Sequence, residues 1–217
     1  MKFTEGYWEK SERANASHAM QAFIVEEIPN GMRVIAPFHK ITDRAGALDV
    51  GTITTEFTAT RKDIISVRSW HFEGYKKKEP RFQMNIDMQD VTVEINEKEA
   101  VMTAGRMQVL IDREEFRITY MADGKELTTC GFRNLGYMQY DRECLTKFPQ
   151  ENYMAAKYTP YMSTELSLAP GECVYGLGER FTSFVKNGQV VDCWNEDGGT
   201  ASQISYKNIP FYMTNKN

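Results

Sequence analysis

The chain has 217 residues, of which 41% are hydrophobic and 26% are charged, a balance typical of a globular protein with a buried core rather than of a disordered chain. Twenty-six basic and 30 acidic residues give a formal net charge of -4, so no surplus of Lys and Arg exists to neutralise a phosphate backbone. We therefore expect one domain, with no nucleic acid as a partner.

The N-terminal residues 1–6 lead straight into the charged Glu9, Lys10 and Glu12, without the apolar stretch that a signal peptide or a membrane span requires. This start predicts a cytoplasmic protein with no membrane partner. The cysteines show no C-x-x-C spacing and the histidines form no H-x-H or H-x-x-x-H set, so we expect reduced structural thiols and no metal site. The residues concerned are Cys130, Cys144, Cys173, Cys193, His18, His39 and His71.

Between about residue 20 and residue 140 the apolar residues recur mostly at every second position, which is the period of a β-strand. The pattern predicts strands over residues 22–26, 32–38, 52–60, 64–73, 91–96, 107–112, 116–121 and 125–130. Within the fifth of these, Val91, Val93 and Ile95 are expected on the buried face. Asp123 and Gly124 tolerate positive φ and predict the turn of the last hairpin.

No ten-residue helical pattern separates these strands, so the alternation of strands and helices found in parallel sheets is missing. The predicted fold class is therefore all-β, an antiparallel β-sandwich with few short helices. From Tyr137 onward the alternation weakens, and Tyr140, Tyr153, Tyr158 and Tyr161 are spaced among polar residues and prolines. We expect loops there, whose aromatic side chains either stack on sugar rings or, as we favour, pack a long connection against the sandwich.

Residues 174–182 contain a G-x-G pattern at Gly176 and Gly178. It is not a dinucleotide site, because Phe181 occupies the position that needs a small residue and no strand-helix-strand frame accompanies it. The two glycines are instead expected where a side chain would clash or where the backbone needs positive φ.

Residues 193–200 bring together an aromatic, an amide and two acids before a pair of glycines. Trp194 offers a flat apolar face to a sugar ring, while the carboxylates of Glu196 and Asp197 accept hydrogen bonds from hydroxyl groups. An alternative of equal weight is a turn whose acids bind only their own backbone. Adjacent acids make a poor catalytic pair, and nothing in the spacing requires Glu179 or Asp192 to approach them.

Four segments then resemble, in order and spacing, the N-terminal region of glycoside hydrolase family 31, in particular its bacterial α-xylosidase branch. They are YGLGERFT at 175–182, KNGQ at 186–189, WNEDGGT at 194–200 and YKNIPFYMTN at 206–215. The resemblance covers about the last fifth of the chain, and the strand-rich part before it is compatible with the same family.

The resemblance implies a galactose-mutarotase-like β-sandwich that precedes a (β/α)₈ barrel. In the family, two aspartates on the barrel hydrolyse α-glycosides with retention through a covalent intermediate, and no cofactor is needed. Because this chain ends at Asn217, before any barrel strand, residues 1–217 are expected to be the N-terminal domain of a larger α-xylosidase or α-glucosidase. We expect no catalytic residue in this chain and no activity from it alone.

The family's N-terminal domain also contributes a loop that reaches over the barrel mouth. Residues 194–200 match this loop and Asp197 matches its sugar-contacting aspartate, so Trp194, Asn195, Glu196 and Asp197 are the expected substrate contacts. Many relatives have Arg at the position of Glu196, which changes the charge on the leaving-group side. The expected partners are an α-linked oligosaccharide, the protein's own catalytic barrel and further copies of the full-length enzyme in a homo-oligomer.

Two alternatives remain open at this stage. A free-standing carbohydrate-binding module requires a sugar-binding platform that is complete within these residues. An aldose epimerase on the same sandwich requires a convergent His and Glu pair.

Overall fold

A computed structural model describes residues 4–5, 9–10, 14–74, 82–141, 158–196 and 205–216. The chain divides into a larger unit, Lys2–Ser167, and a smaller unit that contains Leu168–Asn217. Each unit is described by itself below.

The described part of the larger unit consists of strands and one 3₁₀ turn, Ala45–Ala47. The strands are β1 (Thr4–Glu5), β2 (Glu9–Lys10), β3 (Ala14–His18), β4 (Ile24–Ile28), β5 (Gly31–Pro37), β6 (Thr52–Arg61), β7 (Ile64–Trp70), β8 (Thr92–Ile95), β9 (Glu99–Ala104), β10 (Met107–Asp112), β11 (Arg117–Ala122), β12 (Lys125–Cys130), β13 (Leu135–Asp141) and β14 (Tyr158–Thr164). They form a five-stranded sheet in the order β12-β11-β10-β9-β8, a four-stranded sheet β4-β5-β6-β7, a three-stranded sheet β14-β13-β3 and the pair β1-β2. All of these pairings are antiparallel.

Strict alternation of buried and more exposed residues places one face of each central strand in the core. Along β6, Ile53, Thr55, Phe57 and Ala59 are buried while the residues between them are not. Side chains from the four-stranded and five-stranded sheets join in one apolar cluster, whose largest members are Met32, Ile53, Phe57, Met102, Ile111, Phe116 and Ile118. Full burial of one such side chain contributes about 1.5 to 3 kcal/mol, so this cluster is the main source of stability of the larger unit.

The prediction of an all-β antiparallel sandwich is confirmed. The Asp123-Gly124 turn is also confirmed, because both residues have positive φ between β11 and β12. At the edge strand β8, Val91 and Val93 pack against the core as expected. Ile95 was expected on the same face, but 41% of its surface is exposed because β8 ends there at the rim of the sheet.

The expectation of loops from Tyr137 onward is wrong at residues 137–141 and 158–164, whereas most of the described residues after 164 do lie in loops. Tyr137 and Tyr140 belong to β13, and Tyr158 and Tyr161 belong to β14, which pairs with β13 over seven residues. The ring of Tyr137 lies 4.3 Å from the ring of His71, so it packs within the unit, whereas Tyr153 lies outside the described residues. Periodicity missed these strands because tyrosine is amphipathic and alternates poorly with other polar residues.

The smaller unit has little regular structure in its described part. The strands β15 (Val174–Gly176) and β16 (Tyr212–Thr214) pair antiparallel, and connecting segments make up the rest. The side chain of Asn187 fixes one of these segments: its Oδ1 accepts a hydrogen bond from the Val174 N–H over 2.8 Å, and its Nδ2 donates to the Glu172 carbonyl over 2.9 Å.

Candidate functional site

The two glycines of the G-x-G segment allow two parts of the smaller unit to run side by side. Gly176, Leu177 and Gly178 all have positive φ, of 109°, 68° and 92°. A β-carbon on Gly176 would lie 2.6 Å from the Phe211 carbonyl oxygen, and one on Gly178 would overlap the carbonyl oxygen of Lys207. The expectation that these glycines serve close backbone approach and positive φ is confirmed.

Main-chain hydrogen bonds join the two segments at this crossing. The Leu177 N–H donates to the Phe211 carbonyl over 2.8 Å, and the Glu179 N–H donates to the Lys207 carbonyl over 3.0 Å. These bonds fix the main chain of residues 176–179, here called the glycine segment, immediately before Arg180.

Arg180 is half-buried and its guanidinium group binds several parts of the smaller unit at once. Its Nε donates to the Leu177 carbonyl over 3.0 Å and its Nη2 donates to the Asp192 carbonyl over 2.8 Å. The same Nη2 donates to the side-chain oxygen of Asn208. Arg180 therefore connects three parts of the smaller unit: the glycine segment, Asp192 just before residues 193–200, and Asn208 after them.

Asn208 completes this connection from the other side. Its Nδ2 donates to the carbonyls of Trp194 and Ser205, each over 2.7 Å, and to Asn195 Oδ1 over 2.9 Å. The Asn208 N–H also donates to Asn195 Oδ1, over 3.1 Å. The loop that begins at Trp194 is thus held through its main chain and through Asn195.

Ser205 is the third residue of this arrangement that the sequence did not single out, after Arg180 and Asn208. It is buried, and its hydroxyl group donates to the Glu179 carbonyl over 2.6 Å and accepts from the Lys207 N–H over 3.1 Å. Arg180 and Asn208 lie inside the matched segments, so their presence there was the available signal. Ser205 gave no signal, since a lone serine in a polar stretch is unremarkable.

Trp194 and Glu196 line a cavity of about 450 Å³, together with Arg180, Thr182, Gln189 and Asp192. The Trp194 side chain is 69% exposed, so its ring is available to a ligand. An open apolar ring beside carboxylates and polar side chains has the composition of a sugar site. Glu179 and Asp192 are the other acids considered near the loop in the sequence analysis, and Asp192 lines this cavity.

Glu179, by contrast, forms an exposed ion pair with Lys207, with 3.0 Å between Oε2 and Nζ. The hydrogen bond and charge of Glu179 raise the pKa of the Lys207 ammonium group above its ordinary value. The side-chain oxygen of Asn195 is bound by Asn208 and helps to shape the loop. Asp197 lies outside the described residues.

Among the residues that the structure describes, no group of three or more His, Cys, Asp or Glu side chains is arranged to hold a metal ion. His39 and His71 each hydrogen-bond a main-chain carbonyl, of Gly46 and Thr52 respectively. Within the same described ranges, no helix is both long and apolar enough to cross a membrane.

Many large apolar side chains of the smaller unit point into solvent. They include Phe181, Phe184, Trp194, Tyr206, Ile209, Phe211, Tyr212 and Met213. Such a concentration of exposed apolar surface is typical of an interaction site rather than of a free monomer surface.

The larger unit is an antiparallel β-sandwich, and the smaller unit contains an exposed loop with an aromatic and an acidic side chain. These features define a β-sandwich protein with a candidate sugar-binding site. Residues 54–217 match the model of the glycosyl hydrolase 31 N-terminal galactose mutarotase-like domain, and the chain belongs to this family. The family resemblance of the four short segments is therefore confirmed over three quarters of the chain.

Two curated relatives are alpha-xylosidases. XylQ of Lactiplantibacillus pentosus is 34% identical over 215 residues, which are 99% of this chain and 26% of the relative. The enzyme of Emericella nidulans is 34% identical over 226 residues, covering 99% of this chain and 28% of the relative. The chain thus spans about a quarter of the length of these relatives.

Solved structures show the same fold. The cycloalternan-forming enzyme of Listeria monocytogenes matches with a TM-score of 0.63 and 13% identity, over 93% of this chain and 17% of that one. The GH31 dextranase of Flavobacterium johnsoniae matches with a TM-score of 0.61 and 13% identity, over 91% of this chain and 21% of that one.

Proposed function

We propose that the chain is the non-catalytic N-terminal domain of a retaining α-glycosidase that hydrolyses α-xylosides or α-glucosides. The observation that carries the proposal is the 34% identity to two alpha-xylosidases along 99% of the chain. Because the match covers only about a quarter of those enzymes, we propose that the catalytic carboxylates lie on a barrel outside these 217 residues.

The exposed apolar surface of the smaller unit supports a barrel as its partner. Side chains such as Phe181, Phe184 and Phe211 have no apolar neighbour sufficient to bury them within the described residues of this unit. Burial of such side chains against a second domain of the same protein is favourable. Assembly of the complete enzyme into a homo-oligomer is a further part of the proposal.

Within this enzyme, residues 194–200 are proposed to line the substrate site. The exposed ring of Trp194 and the carboxylate of Glu196 at one cavity support this role. Asp197 is proposed as the hydrogen-bond acceptor for substrate hydroxyl groups. Asn195 is proposed as a further substrate contact of this loop, with its side-chain oxygen held by Asn208.

The 217-residue chain alone is proposed to be inactive. Retaining hydrolysis needs two carboxyl groups about 5 to 5.5 Å apart, one of which attacks the sugar. Of the candidate acids, Glu179 forms an exposed ion pair with Lys207 and does not line the cavity of Trp194 and Glu196, which supports this view. Hydrolysis of 4-nitrophenyl α-xyloside by the purified chain, if abolished by a substitution within it, would contradict the proposal.

We also propose a cytoplasmic location. Cys130, Cys173 and Cys193 are free thiols, as is usual in a reducing compartment.

The decisive experiment replaces Asp197 by Ala in the intact enzyme. Charge-assisted hydrogen bonds contribute about 1.5 to 3 kcal/mol each, so kcat/KM should fall by roughly ten- to a hundredfold with little change in Tm. Glu179→Gln, which removes an exposed carboxylate of the same unit, is the matched control and should keep normal kinetics. An unchanged kcat/KM for Asp197→Ala would remove the loop from the substrate site.

A carbohydrate-binding module is the second candidate, favoured by the cavity that Trp194 and Glu196 share within this chain. Isothermal titration of the 217-residue chain with xylose and isoprimeverose separates the two. Saturable binding that Trp194→Ala abolishes would favour the module, whereas the enzyme-domain proposal predicts no measurable binding without the barrel.

A further inference from the structure

We propose that Arg180 and Asn208 are positioning residues, which set the place of the substrate loop that begins at Trp194 through their hydrogen bonds to its main chain and its flanks. The inference rests on the proposed function, because it assigns these two side chains a part in the substrate affinity of the intact enzyme. The Arg180–Asn208 pair denotes these two side chains and the hydrogen bond between them.

The first argument is the number of separate segments that the Arg180–Asn208 pair joins. Arg180 binds the Leu177 and Asp192 carbonyls, and Asn208 binds the Trp194 and Ser205 carbonyls. Leu177 lies in the glycine segment, Asp192 and Trp194 flank Cys193, and Ser205 follows the loop. A shift of either side chain therefore displaces the start of the loop relative to the rest of the smaller unit.

The second argument is the scarcity of regular pairing at the loop. Asn195 and Ser205 form an isolated bridge rather than part of a ladder, and the Glu196 N–H donates to the Ser205 carbonyl over 3.0 Å. Trp194, Asn195 and Glu196 are all exposed, so core packing does not hold them. The side-chain hydrogen bonds of Asn208, together with this one main-chain bond, therefore hold the main chain from which the Trp194 ring and the Glu196 carboxylate extend.

The third argument is the chemical identity of the two side chains. A guanidinium group has several donors in a rigid planar fork, so it binds separate acceptors at once, and a lysine cannot reproduce this geometry. The amide of Asn208 accepts from Arg180 through Oδ1 and donates to three oxygens through Nδ2. Aspartate has the same size but no donor, so Asn208→Asp retains the contact with Arg180 and loses all three donated bonds.

The test begins with hydrogen exchange of the 217-residue chain, read by mass spectrometry. Asn208→Asp and Arg180→Lys should speed exchange in peptides that contain residues 193–196 by roughly tenfold or more, because the bonds that close the loop are lost. Protection of the β15 and β16 peptides should persist and shows that the smaller unit is still folded. Lys207→Gln, which breaks only the exposed pair with Glu179, is the matched control and should leave exchange unchanged.

Kinetics of the intact enzyme give the second measurement. A misplaced loop should raise KM for 4-nitrophenyl α-xyloside and lower kcat/KM by roughly tenfold, whereas loss of folded enzyme lowers the apparent kcat at constant KM. Lys207→Gln should match the wild type in both constants.

The outcomes separate this inference from the proposed function. Faster local exchange with a raised KM supports both. Faster local exchange with unchanged kinetics supports the positioning of the loop and contradicts its role at the substrate. Unchanged exchange in both variants, or loss of protection throughout the smaller unit in both, overturns the inference, while Asp197→Ala still tests the proposed function by itself.

Discussion

The main chain of Gly178 lies against the carbonyl oxygen of Lys207 so closely that no β-carbon fits between them. Gly178 also has a φ of 92°, a conformation that L-residues with side chains rarely adopt. Contact and conformation together explain why this position, two residues before Arg180, carries glycine.

Gly178→Ala should therefore destabilise the smaller unit by about 2 to 4 kcal/mol, from backbone strain and from overlap with Lys207. Gly188→Ala is the matched control, because Gly188 has a φ of 72° but no atom within 4 Å of the added β-carbon. It should cost about 1 kcal/mol, from strain alone. Hydrogen exchange of the β15 and β16 peptides measures both losses, and equal losses would show that the close approach to Lys207 is unimportant.

The core of the larger unit gives a second prediction. Phe57 is 0% exposed at the centre of β6, so Phe57→Ala should lower the free energy of unfolding by about 3 to 5 kcal/mol. Phe72→Ala makes the same chemical change at a side chain that is 81% exposed and should change it by less than about 0.5 kcal/mol. Urea unfolding followed by circular dichroism compares the two, and similar losses would contradict the placement of the core.

Glu172 gives a prediction about pH. The Ala169 N–H donates to its carboxylate over 2.7 Å, and this bond, with one from the Thr214 hydroxyl group, holds the pKa of Glu172 below its ordinary value of 4.5. A lowered folded-state pKa stabilises the protein above the unfolded-state pKa, and the stabilisation is lost as pH falls through the folded-state pKa.

The wild type should accordingly be more stable than Glu172→Gln by a constant amount at pH 6 and above. The difference should begin to shrink near pH 4.5 and should disappear at lower pH, once Glu172 is protonated in both states. Urea unfolding of both proteins from pH 7 to pH 3 measures it. A difference that stays the same at pH 3 would show that the carboxylate charge is not what the Ala169 N–H recognises.

Cys130 gives a prediction about reactivity. Burial disfavours the thiolate and raises the pKa of Cys130 to about 11. At pH 8 about 0.1% of this thiol is ionised, and the reagent cannot reach it in the folded sandwich. Iodoacetamide should therefore label the exposed Cys193 well before Cys130, as read by peptide mass spectrometry, and equal labelling in 6 M urea is the control. Comparable rates under native conditions would contradict the burial of Cys130.

The alternation of apolar residues was enough to determine the all-β class and the approximate positions of eight strands, because period two is a local property of the chain. It missed β9, where the buried side chains are Ala100, Met102 and Ala104, since alanine gives a weak hydrophobic signal. It also missed β13 and β14, where tyrosine at buried and half-buried positions hides the period.

The four short motifs were likewise enough to indicate the family, and the G-x-G pattern predicted the close backbone crossing. Only the tertiary structure decided the role of Asn195, which lies in the sequence as an ordinary polar member of a sugar-binding loop. Its oxygen is bound by Asn208, 13 residues later. Hydrogen bonds between segments depend on which parts of the chain the fold brings together. A local pattern of residues does not encode which distant segment becomes the neighbour of Asn195.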